Sequence, residues 1–162
     1  MRKNHPTTRV GIALGALAAT ATALFVTAGP ASAVTCSGYG CDGKSPSGSG
    51  CSSGATIIND VSLGWSDNVG GTAYDGKVRL YYSSLCRTVW AYVYDLSSDS
   101  TATAHVYRNS DGHQQGCAAG NSSCTTNMLY DANVTSYAYA NNYAYDPFDG
   151  LWVNYYGRTV SY

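Results

Sequence analysis

Two stretches of alternating residues flank a short polar break in the middle of the chain. From Val78 to Tyr82, Val, Leu and Tyr alternate with Arg and Tyr, and from Val89 to Tyr94, Val and Ala alternate with Trp and Tyr. Residues two apart share one face of a strand, so both stretches are predicted strands. The break holds Cys86 and lacks the residues of a two-residue primed turn, which predicts a tight corner pinned by a disulfide.

The chain around these two stretches predicts further short strands separated by turn residues. The turns are expected at 67–76, 109–112, 120–123 and 146–150, and an Asn- and Tyr-rich insert at 141–145. Seven or eight short strands with such spacing indicate an all-β fold, either a small antiparallel β-sandwich or a barrel. The other predicted strands are 55–63, 102–108, 113–117, 128–131, 134–139 and 151–156.

The first 33 residues have the features of a secretory signal peptide. Arg2, Lys3 and Arg9 precede an apolar run at 10–26, and Ala31-Ser32-Ala33 is a small-residue cleavage site. We therefore expect a secreted, extracellular protein with no permanent membrane anchor. Cleavage leaves 162 − 33 = 129 residues, which we divide into a Gly- and Ser-rich stapled arm at 34–54 and a β-domain at 55–162.

The charge of the mature chain excludes one class of partner. Three of the nine Lys and Arg residues lie in the signal, and all ten acidic residues, which are Asp, follow it, so the formal charge is 6 − 10 = −4. Binding to nucleic-acid phosphates needs clustered Lys and Arg. No nucleic-acid partner is predicted.

Six cysteines follow the signal, and in an exported chain an even number indicates disulfides. Six cysteines allow 15 pairings, all of which stay open at this point. The spacing favours two local loops and one bridge from the arm to the central corner. No C-x-x-C spacing is present, so neither a zinc site nor any other metal or cofactor is predicted. The favoured pairs are Cys36–Cys41, Cys117–Cys124 and Cys51–Cys86.

Several of these segments together resemble a known family. They are Cys41–Pro46 with Gly50-Cys51, Val78–Ser83 with Cys86–Ala91, Asn109–Gly112 and Met128–Ala138. The chain is similar over most of residues 36–140 to the small exported actinobacterial proteins called domain of unknown function 2690. The resemblance implies export and a shared fold, and it supplies no catalytic residue because the family has no established activity. The chain departs from the family at 79–83, where Glu-Leu-Arg-Tyr-Ser is expected, and at the aromatic insert.

Two histidines raise the alternative of a small extracellular hydrolase. His105 and His113 lie on either side of the Asn-Ser-Asp-Gly turn, with Asp111 between them. Nucleophilic catalysis needs a base that is hydrogen-bonded to the nucleophile and oriented by a third group. The chain has no Gly-x-Ser-x-Gly elbow, and such turns also form for purely local reasons. We therefore expect a protein that is not an enzyme.

The 15 tyrosines and three tryptophans favour a binding module. Aromatic rings stack on sugars and anchor protein interfaces, although the inward half of each strand is expected to be core. The leading hypothesis is a secreted module whose Tyr-rich face holds a cell-wall glycan or a secreted protein. A third alternative is an adaptor or structural protein of an extracellular assembly that docks through the arm. The predicted binding residues are Tyr139, Tyr143, Tyr145, Trp152 and Tyr155.

Overall fold

The computed structural model describes residues 33–66 and 72–162, so all of the predicted signal except Ala33 lies outside the described residues. In these ranges the chain forms a short 3-10 helix, Gly38–Cys41, and nine strands. This confirms the all-β prediction, with one or two strands more than the seven or eight expected. Within them no helix is long and apolar enough to cross a bilayer. The strands are β1 (Thr56–Ser66), β2 (Thr72–Ser83), β3 (Thr88–Tyr94), β4 (Thr101–Arg108), β5 (Gln114–Ala119), β6 (Cys124–Thr125), β7 (Leu129–Tyr130), β8 (Ser136–Asp146) and β9 (Leu151–Arg158).

The strands form one antiparallel sheet that curls into a nearly closed barrel. Its order is β5-β4-β8-β9-β1-β2-β3-β6, and β7 also pairs with β3. The two edge strands, β5 and β6, lie side by side, and the Cys117–Cys124 disulfide joins them. Of the two predicted architectures, the barrel is therefore the one observed. Joining the edges also protects backbone groups that an open sheet leaves unpaired.

Small residues fill the inside of the barrel. The inward positions of β4 and β8 are mostly Ala, whereas β2 and β3 contribute Val and Leu. Because Ala side chains are short, β2 and β3 approach β4 and β8 across the interior. The predicted alternation of both central strands is confirmed, since Val78, Leu80, Val89, Ala91 and Val93 are fully buried inside.

The arm is fixed against the outside of β2 and β3. All three favoured disulfides are confirmed, and two of them hold the arm: Cys36–Cys41 within it, and Cys51–Cys86 from it to the corner between β2 and β3. The arm also pairs with the segment before β7, where Gly43 N–H donates to the Met128 carbonyl and Met128 N–H to the Lys44 carbonyl. Its cysteines, Met128 and Trp90 form a second buried cluster outside the barrel.

Two sequence predictions are wrong. The predicted insert at 141–145 is the continuous second half of β8, because Asn142 points inward and donates to the Asp75 carboxylate at 2.9 Å. Of the predicted turn at 67–76, residues 67–71 lie outside the described ranges and Thr72–Gly76 belong to β2. Asp75 also accepts the Ser97 backbone N–H and hydroxyl, so a residue typical of turns serves a tertiary contact.

The remaining boundaries lie close to their predictions. The turns at 109–112, 120–123 and 146–150 all separate strands. The strand predicted at 128–131 is reduced to β7, and the strand predicted at 113–117 is β5, shifted by one or two residues.

Candidate functional site

Three aromatic side chains form an exposed surface on the outside of β8 and β9. Tyr143 and Tyr145 alternate along β8 with the buried Ala144, and Trp152 lies directly opposite Tyr145 on β9. Their exposed fractions are 44%, 46% and 50%. The Trp152 ring stacks on Tyr143 with 5.4 Å between centroids and meets Tyr145 edge-on at 5.9 Å. We call Tyr143, Tyr145 and Trp152 the platform.

Further aromatic side chains continue the outer face away from the platform. Tyr139, a predicted binding residue, is half-buried four residue pairs from Tyr143 along β8, opposite Arg158 of β9. Burial raises the pKa of Tyr139, so its phenol stays neutral at physiological pH. Arg158 lies 3.8 Å above the ring of Tyr137, which stacks on Tyr107 at 5.0 Å. The side chains in this part of the face stack on one another, whereas the platform rings are exposed to solvent.

Tyr155, the fifth predicted binding residue, is not on this face. It points into the barrel, is 3% exposed and packs in the main core. Burial raises the pKa of Tyr155, and the nearby carboxylates of Asp146 and Asp75 raise it further. The alternation of β9 explains the difference, because Trp152 and Tyr155 are three residues apart and therefore lie on opposite faces.

One end of the platform opens into a shallow cleft of about 420 Å³. Tyr145 lines part of it, together with the most exposed aromatic rings of the described chain, Tyr74 at 66% and Phe148 at 92%. Asp75, Asp146 and the largely buried Tyr155 are also in its lining. The sequence pattern missed Tyr74 because its segment was predicted as a turn. The cleft therefore extends the aromatic surface beyond the three platform rings.

The hydrolase candidates do not form a catalytic arrangement. Both carboxylate oxygens of Asp111 bind the Arg108 guanidinium, at 3.0 and 2.7 Å, and these bonds hold the pKa of Asp111 at about 2. His113 contributes only its backbone N–H to that carboxylate. Asp111 thus orients an arginine and not an imidazole.

The two histidines also occupy different settings. His105 lies on the outer face of β4, with its ring 5.8 Å from that of Tyr107, and the exposed His113 ring lies 3.4 Å from the Gln115 amide. Among the hydrogen bonds of residues 33–66 and 72–162, none joins either imidazole to a Ser or Thr hydroxyl. The nucleophile–base pair that a hydrolase requires is not assembled there.

Arg108 is a buried cation that the sequence pattern did not single out. It is 3% exposed, and besides Asp111 it binds the Asp42 carboxylate at 2.8 Å. Asp42 also accepts the Tyr130 N–H, so a single ionic network joins the arm, β7 and the β4–β5 hairpin. Two segments of the family resemblance, those containing Asp42 and Asp111, therefore meet on one arginine. Asp42 and Asp111 therefore have a structural role here.

Four sulfurs gather where the arm meets the corner. The Sγ atoms of Cys36, Cys41, Cys51 and Cys86 lie within 4.8 Å of one another, a spacing that metal-binding thiolates also show. All four are oxidised in disulfides, so they offer no thiolate ligand. The cluster therefore consists of two structural disulfides.

The fold and its surfaces define a small disulfide-stapled β-barrel with an open aromatic face. Residues 39–139 match the family described as "Protein of unknown function (DUF2690)", and the chain belongs to that family. It is similar to "Uncharacterized protein YjfA" of Bacillus subtilis (strain 168), with 34% identity over 134 residues that cover 75% of this chain and 79% of that protein. No solved structure matches the chain. An actinobacterial source stays a prediction. The platform residues, Tyr143, Tyr145 and Trp152, follow the matched range in the sequence.

Proposed function

We propose that this protein is a secreted, non-enzymatic binding module that holds a cell-surface glycan on the platform. The observation that carries the proposal is the exposure of three contacting rings on two paired strands. Large aromatic side chains left half in water cost free energy that burial against a ligand recovers. Sugar rings present C–H faces that stack on such rings.

The platform is already arranged for binding. Its rings stand on β8 and β9, whose backbones pair along eight consecutive residue pairs, from Tyr139↔Arg158 to Asp146↔Leu151. A ligand therefore does not have to order a loop, and less conformational entropy is lost on binding. Asn141 and Asn154 lie beside the rings, and the Asn141 amide N–H donates to Asn154 Oδ1 at 3.4 Å. Each side-chain amide has two donors and two acceptor positions, so this one bond uses only part of their capacity for sugar hydroxyls.

A glycan suits the platform better than a protein does. A stable protein–protein interface buries roughly 800 Å² on each partner. The platform is a row of three rings with the cleft of Tyr74 and Phe148 at one end, a size that suits a few sugar units. The three disulfides are typical of proteins from oxidising, extracellular compartments, where cell-surface glycans are found.

The proposal is tested by sedimenting the purified protein with insoluble bacterial cell walls. We expect the wild-type protein to sediment with the walls, and a Tyr143→Ala, Tyr145→Ala, Trp152→Ala variant to stay in solution. A Tyr143→Phe, Tyr145→Phe variant keeps the rings and serves as the matched control, which we expect to bind. All variants should keep the wild-type melting temperature, since these side chains lie outside the core.

Three outcomes contradict the proposal. One is equal sedimentation of the wild type and the alanine variant, and another is sedimentation of neither. The third is capture of a secreted protein, lost in the alanine variant, with no binding to walls, which indicates a protein partner. Release of soluble wall fragments that His105→Asn and His113→Asn abolish would instead support the hydrolase.

A further inference from the structure

A second cleft lies on another part of the barrel, between the arm and the outer face of β2, β3 and β6. Its volume is about 460 Å³, within the range of roughly 300–1,000 Å³ that small-molecule sites occupy. It shares no residue with the platform or with the cleft beside it. Its lining consists of Ser45, Pro46, Ser47, Ser52, Ala55, Tyr81, Trp90, Tyr92, Thr125, Thr126 and Asn127.

Aromatic rings form the floor of this cleft. Tyr81 stacks on Trp90, with centroids 5.5 Å apart and planes 14° apart, and Tyr92 lies 6.5 Å from Tyr81. Trp90 is 4% exposed and lies beside Tyr81, opposite it on β3, whereas Tyr81 and Tyr92 are partly open to solvent. The planes of Tyr81 and Tyr92 are tilted by 55°, and Tyr92 also stacks on Tyr94 at 5.1 Å, so a flat ligand can stack on only one of the two rings at a time.

The wall is held in place by the arm. The turn at 45–52 is closed by a bond from Ser49 N–H to the Ser45 carbonyl and one from Cys51 N–H to the Pro46 carbonyl. The Cys51–Cys86 disulfide then fixes this turn to the corner beside the floor. The cleft is thus preformed, which lowers the entropic cost of filling it.

The rim is polar but carries no charge. Ser45, Ser47 and Ser52 stand on the arm, and Thr125 and Asn127 face them across the cleft. Among the described residues that line it, none is acidic or basic. Arg79 donates to the Tyr81 hydroxyl at 3.1 Å from outside the lining, but its charge is paired with Asp60. A charged ligand would therefore lose its hydration there without gaining a free counter-ion. Hydroxyl and amide groups each donate and accept hydrogen bonds, which matches a ligand rich in neutral hydroxyls.

We propose that this cleft is a binding site for an uncharged saccharide, with a sugar ring stacked on Tyr92 and its hydroxyls bonded to the rim. The arm then has a function beyond stabilising the fold, because it builds one wall of the site. The inference does not depend on the platform, and either site can fail without the other.

The test is a titration of the ¹⁵N-labelled protein with uncharged disaccharides, namely N,N′-diacetylchitobiose, cellobiose and maltose, followed by amide and indole NMR signals. We expect saturable shifts at Trp90, Thr125 and Asn127 with at least one of them. Tyr92→Ala should weaken binding about tenfold or more, whereas Tyr92→Phe should retain it. Val160→Ala, at a 65% exposed position that belongs to neither cleft nor to the platform, is the control and should bind as the wild type does.

The proposal is overturned if none of the three disaccharides gives saturable shifts at the cleft. Equal binding by wild type and Tyr92→Ala, with both folded by their spectra, also overturns it. A proline-rich peptide is included in the series to tell a peptide site from a saccharide site, since such peptides also dock on aromatic-lined grooves. Shifts with the peptide and none with sugars would make the cleft a peptide site and reject the saccharide.

Discussion

Replacing Arg108 by Met tests whether the buried ionic network secures the arm. Met keeps much of the aliphatic stem but removes the guanidinium that binds Asp42 and Asp111. It also removes the cation that lies 5.1 Å from the Tyr39 ring of the arm. The Asp111 side chain is 49% exposed and regains water easily, but that of Asp42 is only 19% exposed and loses its partner. The lost folding free energy therefore comes mainly from the contact between the arm and the barrel.

Breaking a buried ion pair by removing one partner costs roughly 3–5 kcal/mol, and the partial exposure of Asp42 places this case near about 3 kcal/mol. For a domain of this length that corresponds to a fall in melting temperature of roughly 10 °C, measured by circular dichroism at pH 7. Hydrogen exchange gives a local measurement. The Tyr130 amide, which donates to Asp42, should exchange faster in the variant.

Arg158→Met is the matched control, since Arg158 is exposed and contacts only the outer face through the Tyr137 ring. We expect it to melt within a few degrees of the wild type. An Arg108→Met protein that also melts within about 3 °C of the wild type, with the Tyr130 amide still protected, would refute the reasoning. The disulfides alone would then account for the attachment of the arm.

Three further changes test other parts of the fold. Trp90→Ala should cost roughly 3–5 kcal/mol in urea unfolding because Trp90 is 4% exposed in the cluster beneath the arm, and a much smaller loss would mean that the cluster does not hold the arm. A Cys51→Ala, Cys86→Ala variant should lose roughly 2–5 kcal/mol, and an unchanged melting temperature would contradict the role of this staple. Burial raises the pKa of Asp131 to about 6, above the usual value of roughly 4, so its stabilising contribution is present at low pH and is lost as pH rises to 6. Asp131→Asn should therefore gain stability relative to the wild type between pH 4 and 7, and a difference that does not change with pH would show that Asp131 does not titrate there.

The alternation of the central strands predicted the barrel interior because it depends only on local geometry. Val78 and Val89 begin runs in which every second side chain is apolar, and a strand places those side chains on one face. The disulfide pairs followed similarly from spacing, since Cys36–Cys41 and Cys117–Cys124 are close in sequence and leave one remaining pair.

The errors arose where a residue is satisfied by a partner far along the chain. Asn142 is a residue typical of turns, but its amide bonds the Asp75 carboxylate 67 residues away, which allows β8 to continue through it. The Arg108–Asp42 pair spans 66 residues, so its network was equally hidden. Such contacts exist only after the barrel has closed, and local propensity carries no information about them.

The second cleft was missed for the same reason. The alternation of β3 places Trp90 and Tyr92 on one face, and the sequence predicts a stapled arm, but it does not show that the arm crosses those rings. The two proposed sites lie in different parts of the sequence. Residues 39–139 include every side chain that lines the second cleft, whereas the platform begins only at Tyr143.

This separation allows the two sites to be assigned different roles. If both proposals hold, a site within the family segment binds a neutral saccharide and the platform, outside that segment, binds a wall glycan. Two sites on one rigid barrel that engage the same glycan bind more tightly together than either does alone. Tyr92→Ala should then weaken retention on cell walls, which the triple platform variant alone already abolishes. If Tyr92→Ala leaves retention unchanged while still losing the soluble disaccharide, the cleft and the platform recognise separate ligands.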